Sequence, residues 1–140
     1  HACVMARARE HAPILQVGIR SMSIEESDTI QPERAFYAEH IHTASNWMFE
    51  ILNKVTNNVY ITIDLDVFDP SIMSSTGTPE PGGLLWYQVL EIIKKVSDQA
   101  NIVGFDIVEL MPSDHNRAPD FLASKLLYTV LTYKFISGRQ

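Results

Sequence analysis

The sequence predicts an α/β fold, with three layers (α/β/α) around a mostly parallel sheet. Three observations carry that expectation. Two apolar runs rich in β-branched residues, 59–63 and 101–108, read as buried parallel strands. Helical patterns alternate with the strands, the order of a parallel sheet with right-handed crossovers and helices on both faces. Carboxylates stand at the carboxyl ends of both runs, Asp64 and Asp66 after the first and Glu109 after the second. Open parallel sheets place their ligands at that edge.

The elements follow in order. Residues 3–10 form a short helix. Residues 15–19 form a short apolar strand, closed by Gly18-Ile19-Arg20-Ser21. The polar, acidic stretch 22–32 reads as a surface loop, and Phe36 and Tyr37 as a very short strand. Trp47, Met48, Ile51 and Val55 recur at near-helical spacing, which predicts an amphipathic helix over 44–55. Asn57-Asn58 turns the chain into strand 59–63. Residues 69–83 contain Pro70, Gly77, Pro79, Pro81, Gly82 and Gly83 and read as a long, stiffened loop; loops of that length in compact domains are usually functional or disordered. A helix over 86–97 follows, with Val89, Ile92, Ile93 and Val96 on one face. Strand 101–108, a polar loop over 112–119 and a helix over 120–135 complete the chain.

With 140 residues, 46% hydrophobic and 20% charged, the chain has the composition of an ordinary globular domain and shows no repeats or linkers. Its net charge of −6 argues against a nucleic-acid partner and suits a cationic small substrate. The single cysteine, Cys3, excludes an internal disulfide framework and fits a reducing cytoplasm. No apolar run approaches the ~20 residues of a membrane span, and no secretory signal is present. The start at His1, without an initiator Met, reads as the interior of a longer protein.

The chemistry centres on Asp64 and Asp66. Residues two apart on a strand face one side, so the two carboxylates converge. Burying like charges so close is costly unless a cation compensates, and carboxylate oxygens suit Mg²⁺ or Mn²⁺. The competing reading is that these aspartates cap a loop or helix start. Asp69, before Pro70, reads as a turn former. Asp106 has two equal readings: support for the metal ligands, or pairing with a basic core neighbour. For Arg20, surface solvation is favoured over the active-site rim or a subunit contact. His40 and His42 read as exposed, His115 and Arg117 as solvated or at a subunit contact. Trp47, Trp86 and Tyr87 read as packing residues, as does Cys3.

The loop makes a resemblance specific. Asp64-Leu65-Asp66-Val67-Phe68-Asp69-Pro70 followed by Gly77-Thr78-Pro79-Glu80-Pro81-Gly82-Gly83-Leu84 resembles the signature of the ureohydrolases, the family of arginase and agmatinase. The stretch 102–112 is similar to the family's next strand, and 118–126 to the last helix of agmatinase-type members. The resemblance covers nearly all of 1–140, as the carboxyl-terminal part of a single ureohydrolase-like domain with the arginase-like fold. It implies two Mn²⁺ ions, with Asp64 and Asp66 as metal ligands, Glu109 contacting the substrate guanidinium, Thr78 lining the substrate site and His1 in proton transfer. It also implies hydrolysis of a guanidino compound, agmatine to putrescine and urea being favoured, in a cytoplasmic homo-oligomer, a trimer or hexamer. The family's Asp-Ala-His-x-Asp motif and upstream Gly-Gly-x-His are not found in these residues. Activity is therefore expected of a longer parent, and the chain alone could be an inactive subunit or pseudo-enzyme. Haloacid-dehalogenase-type phosphohydrolases also place Asp-x-Asp after an apolar strand, but their pattern wants Thr or Val where Phe68 stands.

Overall fold

A computed structural model describes residues 4–136, so the expectations for His1 and Cys3 lie outside the described residues. The chain divides into two compact units, His1–Lys54 and Val55–Gln140, each described by itself.

The first unit contains α1 (Val4–Arg9), β1 (Gln16–Ile19), α2 (Ile24–Ser27), β2 (Ala35–Tyr37), α3 (Ala38–Thr43) and α4 (Trp47–Leu52). β1 and β2 pair in parallel, with Gln16 opposite Ala35. Gly18 has φ 86° and sits at the register irregularity between Val17 and Ile19, a conformation that L side chains resist. The expected loop over 22–32 contains α2. Its start is a capping box, in which the Glu26 N–H donates to Ser23 Oγ at 3.1 Å and the Ser23 N–H donates to Glu26 at 3.0 Å. The Ser-x-x-Glu spacing is the signal for it. The helix expected over 44–55 is shorter, because Asn53 caps it, and it is preceded by α3, whose buried residues are Ala38 and Ile41. His40 is not simply exposed: it is half-buried and lies 3.0 Å from Glu50. Arg20, likewise part-buried, donates back to the Gly18 carbonyl.

The second unit contains β3 (Asn58–Asp64), a 3₁₀ turn (Leu65–Val67), α5 (Trp86–Gln99), β4 (Asn101–Val108) and α6 (Ala118–Ile136). β3 and β4 are parallel neighbours, with Ile61 opposite Phe105, Ile63 opposite Ile107 and Asp64 opposite Val108. α5 and α6 pack on each other and α6 on β4. Between them they bury Val89, Ile93, Val96, Ala123, Leu126 and Val130, the face expected for the first helix, alongside Ile63 and Ile102. On the other side of the strand pair Tyr60 and Thr62 are exposed. There the Tyr60 ring lies over Gly104, where a Cβ would come within 2.8 Å of it. Tyr60 and Thr62 donate their hydroxyls to Asp106 at 2.9 and 2.7 Å. Asp106 is thus paired with hydroxyls, not with a basic neighbour. Tyr87 is exposed and not a packing residue, whereas Trp86 stacks on Phe68 with centroids 6.1 Å apart.

The long loop is ordered. Its neck is closed by Leu84 N–H to the Val67 carbonyl at 2.8 Å and Asp69 N–H to the Leu84 carbonyl at 3.0 Å. Gly83 is required there, since a Cβ would fall 2.5 Å from Phe68 and Asp69 backbone atoms. Leu65, Phe68, Met73 and Leu84 are fully buried around this neck, each contributing roughly 1.5–3 kcal/mol. Asp69 forms the turn as expected: its carboxylate accepts from the N–H groups of Ser71 and Gly82, both at 3.0 Å. Bonds from Ser71 and from the Gly82 and Gly83 N–H groups hold its pKa below the ordinary carboxylate value.

Candidate active site

β3 is rich in apolar and β-branched residues. Asp64 is its last residue, in extended backbone. The following 3₁₀ turn, not strand alternation, brings Asp66 back toward it: the Asp66 N–H donates to Asp64 Oδ1 at 3.2 Å. The capping reading of Asp64 is therefore correct locally, and the same turn leaves the two carboxyls side by side. Desolvation is the main force that raises the Asp64 pKa; the Asp66 N–H opposes it, and the charges of Asp66 and Glu109 add to it. The result is pushed up to about 6.

Glu109 follows Val108, the register partner of Asp64, so it stands at the neighbouring strand end. Its φ of 65° is the only positive value at a non-glycine among the described residues. Such strain at a sheet edge aims a side chain away from the strand course and is characteristic of functional positions.

The loop ties the two strand ends together. Thr78 Oγ1 donates to Asp66 Oδ2 at 2.7 Å, the Met111 N–H donates to the Ser75 carbonyl at 2.9 Å, and a Cβ at Gly77 would lie 3.3 Å from Glu109 Oε2. Asp64, Asp66, Thr78 and Glu109 thus belong to one edge of one unit. Ser75 and Gly77 join them; the sequence motif contained Gly77 without distinguishing its contact, and Ser75 fell between the motif's two parts. Thr62 and Tyr60 were also missed as partners of Asp106, although their two-residue spacing from Asp64 places all three on one face. Two hollows of about 310 and 550 Å³ lie in the first unit and are lined by none of these residues.

Among the described residues, no group of three or more His, Cys, Asp and Glu side chains is placed to hold a metal ion. The Asp64–Asp66 pair nevertheless fits part of one. It offers only oxygen donors, as a hard cation prefers, and a cation would offset the desolvation, and the lesser repulsion, that raise Asp64. Further donors are needed to complete such a site.

A family model described as the arginase family matches residues 1–132. The chain is 37% identical over 137 residues to an N(1)-aminopropylagmatine ureohydrolase of Synechocystis, covering 95% of this chain and 45% of the relative. It is 32% identical over 136 residues to an agmatinase of Pyrococcus horikoshii, covering 94% and 47%. Among solved structures, the agmatine ureohydrolase of Thermoplasma volcanium superposes with a TM-score of 0.79 at 35% identity, over 96% of this chain and 47% of that one. The chain spans about half the length of the curated relatives it matches.

Proposed function

The chain belongs to the arginase family, and from that premise we propose that its protein hydrolyses a guanidino compound of the agmatine type to an amine and urea, with manganese. The observation that carries this reading is the register of β3 against β4, which sets Glu109 beside the Asp64–Asp66 pair. Asp64 and Asp66 would hold metal, with donors beyond these residues completing the site. Bound manganese would supply a water acidified enough to act as nucleophile at neutral pH. Glu109 pairs with the guanidinium through charge-assisted hydrogen bonds and fixes which face of its carbon is presented. Thr78 holds Asp66 by its hydroxyl proton and keeps oxygen lone pairs available toward substrate. His1, outside the described residues, is the candidate that protonates the departing amine, a task suited to imidazole near neutrality.

Agmatine is the favoured substrate from the sequence. A second reading has a specific basis: four of the relatives at 37–38% identity are named for N(1)-aminopropylagmatine. Both substrates present the same guanidinium to Glu109 and differ at the far end of the chain. Urea release from each, with manganese and the protein as encoded by its gene, separates them by kcat/KM. Glu109→Ala is expected to abolish release while leaving bound manganese unchanged. Release from neither substrate, or undiminished release by Glu109→Ala, would overturn the assignment.

A homo-oligomer, trimer or hexamer, is part of the same proposal. The exposed Phe121, Tyr128, Leu131 and Phe135 on α6 support it, since a helix apolar on all sides is normally covered. No helix of the described residues is long and apolar enough to cross a membrane, and a cytoplasmic location is proposed on the cysteine usage alone.

A further inference from the structure

Gly77 poses a question that its own backbone does not answer. The glycines with left-handed φ among the described residues are Gly18 and Gly82, so the conformation at 77 is open to any L residue. Residue 77 is exposed. A Cβ built on it meets one heavy atom within 4 Å outside its chain neighbours: Glu109 Oε2, at 3.3 Å. That separation is tighter than ordinary van der Waals contact, so either the loop or the carboxylate would have to give.

The loop is poorly placed to give. On one side of Gly77 the Ser75 carbonyl accepts the Met111 N–H at 2.9 Å. On the other, Thr78 donates to Asp66 at 2.7 Å. The segment is therefore fastened to both strand ends, and Ser75 and Thr76 within it are buried. Glu109 is exposed, and the atom in question is the far end of its long side chain, although its Cα is held at φ 65°. A side chain at 77 would be accommodated by turning the Glu109 carboxylate.

We propose that Gly77 is a positioning residue for the guanidinium: its missing side chain leaves the room in which the Glu109 carboxylate lies, and so sets the carboxylate plane that the substrate must match. This rests on the reading that Glu109 pairs with the guanidinium. A planar, forked ion pair is sensitive to rotation of either partner. A misplacement of about an ångström at such a contact can cost about a hundred-fold in rate, and the few tenths of an ångström at issue here a smaller factor.

The test is calorimetric titration of agmatine into the metal-free protein, with urea-release kinetics on the manganese-loaded protein beside it. Gly77→Ala is expected to raise the agmatine Kd and KM by about ten-fold, with manganese content and melting temperature unchanged. In a Glu109→Asp background, whose carboxylate withdraws by one methylene, Gly77→Ala should change Kd less than two-fold, because the pair is coupled. Wild-type agmatine binding by Gly77→Ala overturns the proposal. So does an equal loss in both backgrounds, the pattern of a loop that has merely been disturbed. If Glu109→Ala itself binds agmatine like the wild type, the guanidinium reading fails first and the role of Gly77 falls with it.

Discussion

Glu109→Gly is expected to make the protein more stable and inactive. The backbone at Glu109 has φ 65°, a left-handed conformation that costs a non-glycine residue roughly 1–2 kcal/mol. Glycine removes that cost but gains freedom in the unfolded chain, which returns about 0.4–1 kcal/mol. The comparison to make is with Glu109→Ala, since both variants lose the carboxylate and its repulsion of Asp64. The glycine variant should exceed the alanine variant by about 0.5–1 kcal/mol. At this chain length that is roughly 2–5 °C in melting temperature. Urea-gradient unfolding of the two variants, with equal slopes, reads the difference directly. Neither variant should hydrolyse agmatine, and both should retain manganese. Equal stability of the two variants would refute the claim that strain is held at this strand end. A glycine variant with full activity would refute the claim that the strain serves the carboxylate.

Other outcomes follow from the same geometry. Asp64 has its folded pKa raised from 3.8 to about 6. The folded state therefore binds that proton more tightly, and stability of the metal-free chain should fall as pH rises from about 4 to 6. The carboxyl is half in solvent, so the loss should be no more than about 1 kcal/mol. Melting curves in EDTA should show it, Asp64→Asn should abolish it, and a flat profile in the wild type would contradict it. Asp69, with a lowered pKa, acts in the opposite sense, its stabilisation being lost only as pH falls below the ordinary carboxylate range. Thr78→Val removes the 2.7 Å bond to Asp66 and should weaken manganese retention about ten-fold, measured by metal analysis after buffer exchange; unchanged retention would count against that support. Gly83→Ala forces a Cβ within 2.5 Å of backbone atoms and should cost about 1–3 kcal/mol, with proteolysis appearing within 69–83; a wild-type urea midpoint would contradict the described neck.

The sequence made the second unit legible because its signals are local and strong. The apolar runs ending in Asp64 and at Val108 required parallel pairing, and the structure pairs them in register. The helix over 86–97 was legible from Val89, Ile92, Ile93 and Val96, of which Ile92 is half-buried and the others buried. Two short helices of the first unit were not legible, although α1 was. α2 and α3 span 4 and 6 residues, too few for apolar periodicity to show, and only the capping box announces α2. At the site, residue identities were readable and their geometry was not. The meeting of Asp64 and Asp66 depends on a 3₁₀ turn, and the aim of Glu109 on a positive φ. The contact between Gly77 and Glu109 joins residues 32 positions apart in the sequence.

The most direct measurement is manganese stoichiometry in the purified protein, by elemental analysis, for the wild type and for Asp64→Ala with Asp66→Ala. Bound manganese in the wild type and its loss in the double variant, at unchanged circular dichroism, is the expected result. A double variant that keeps its full complement of manganese would show that the carboxylates at the end of β3 do not hold the metal.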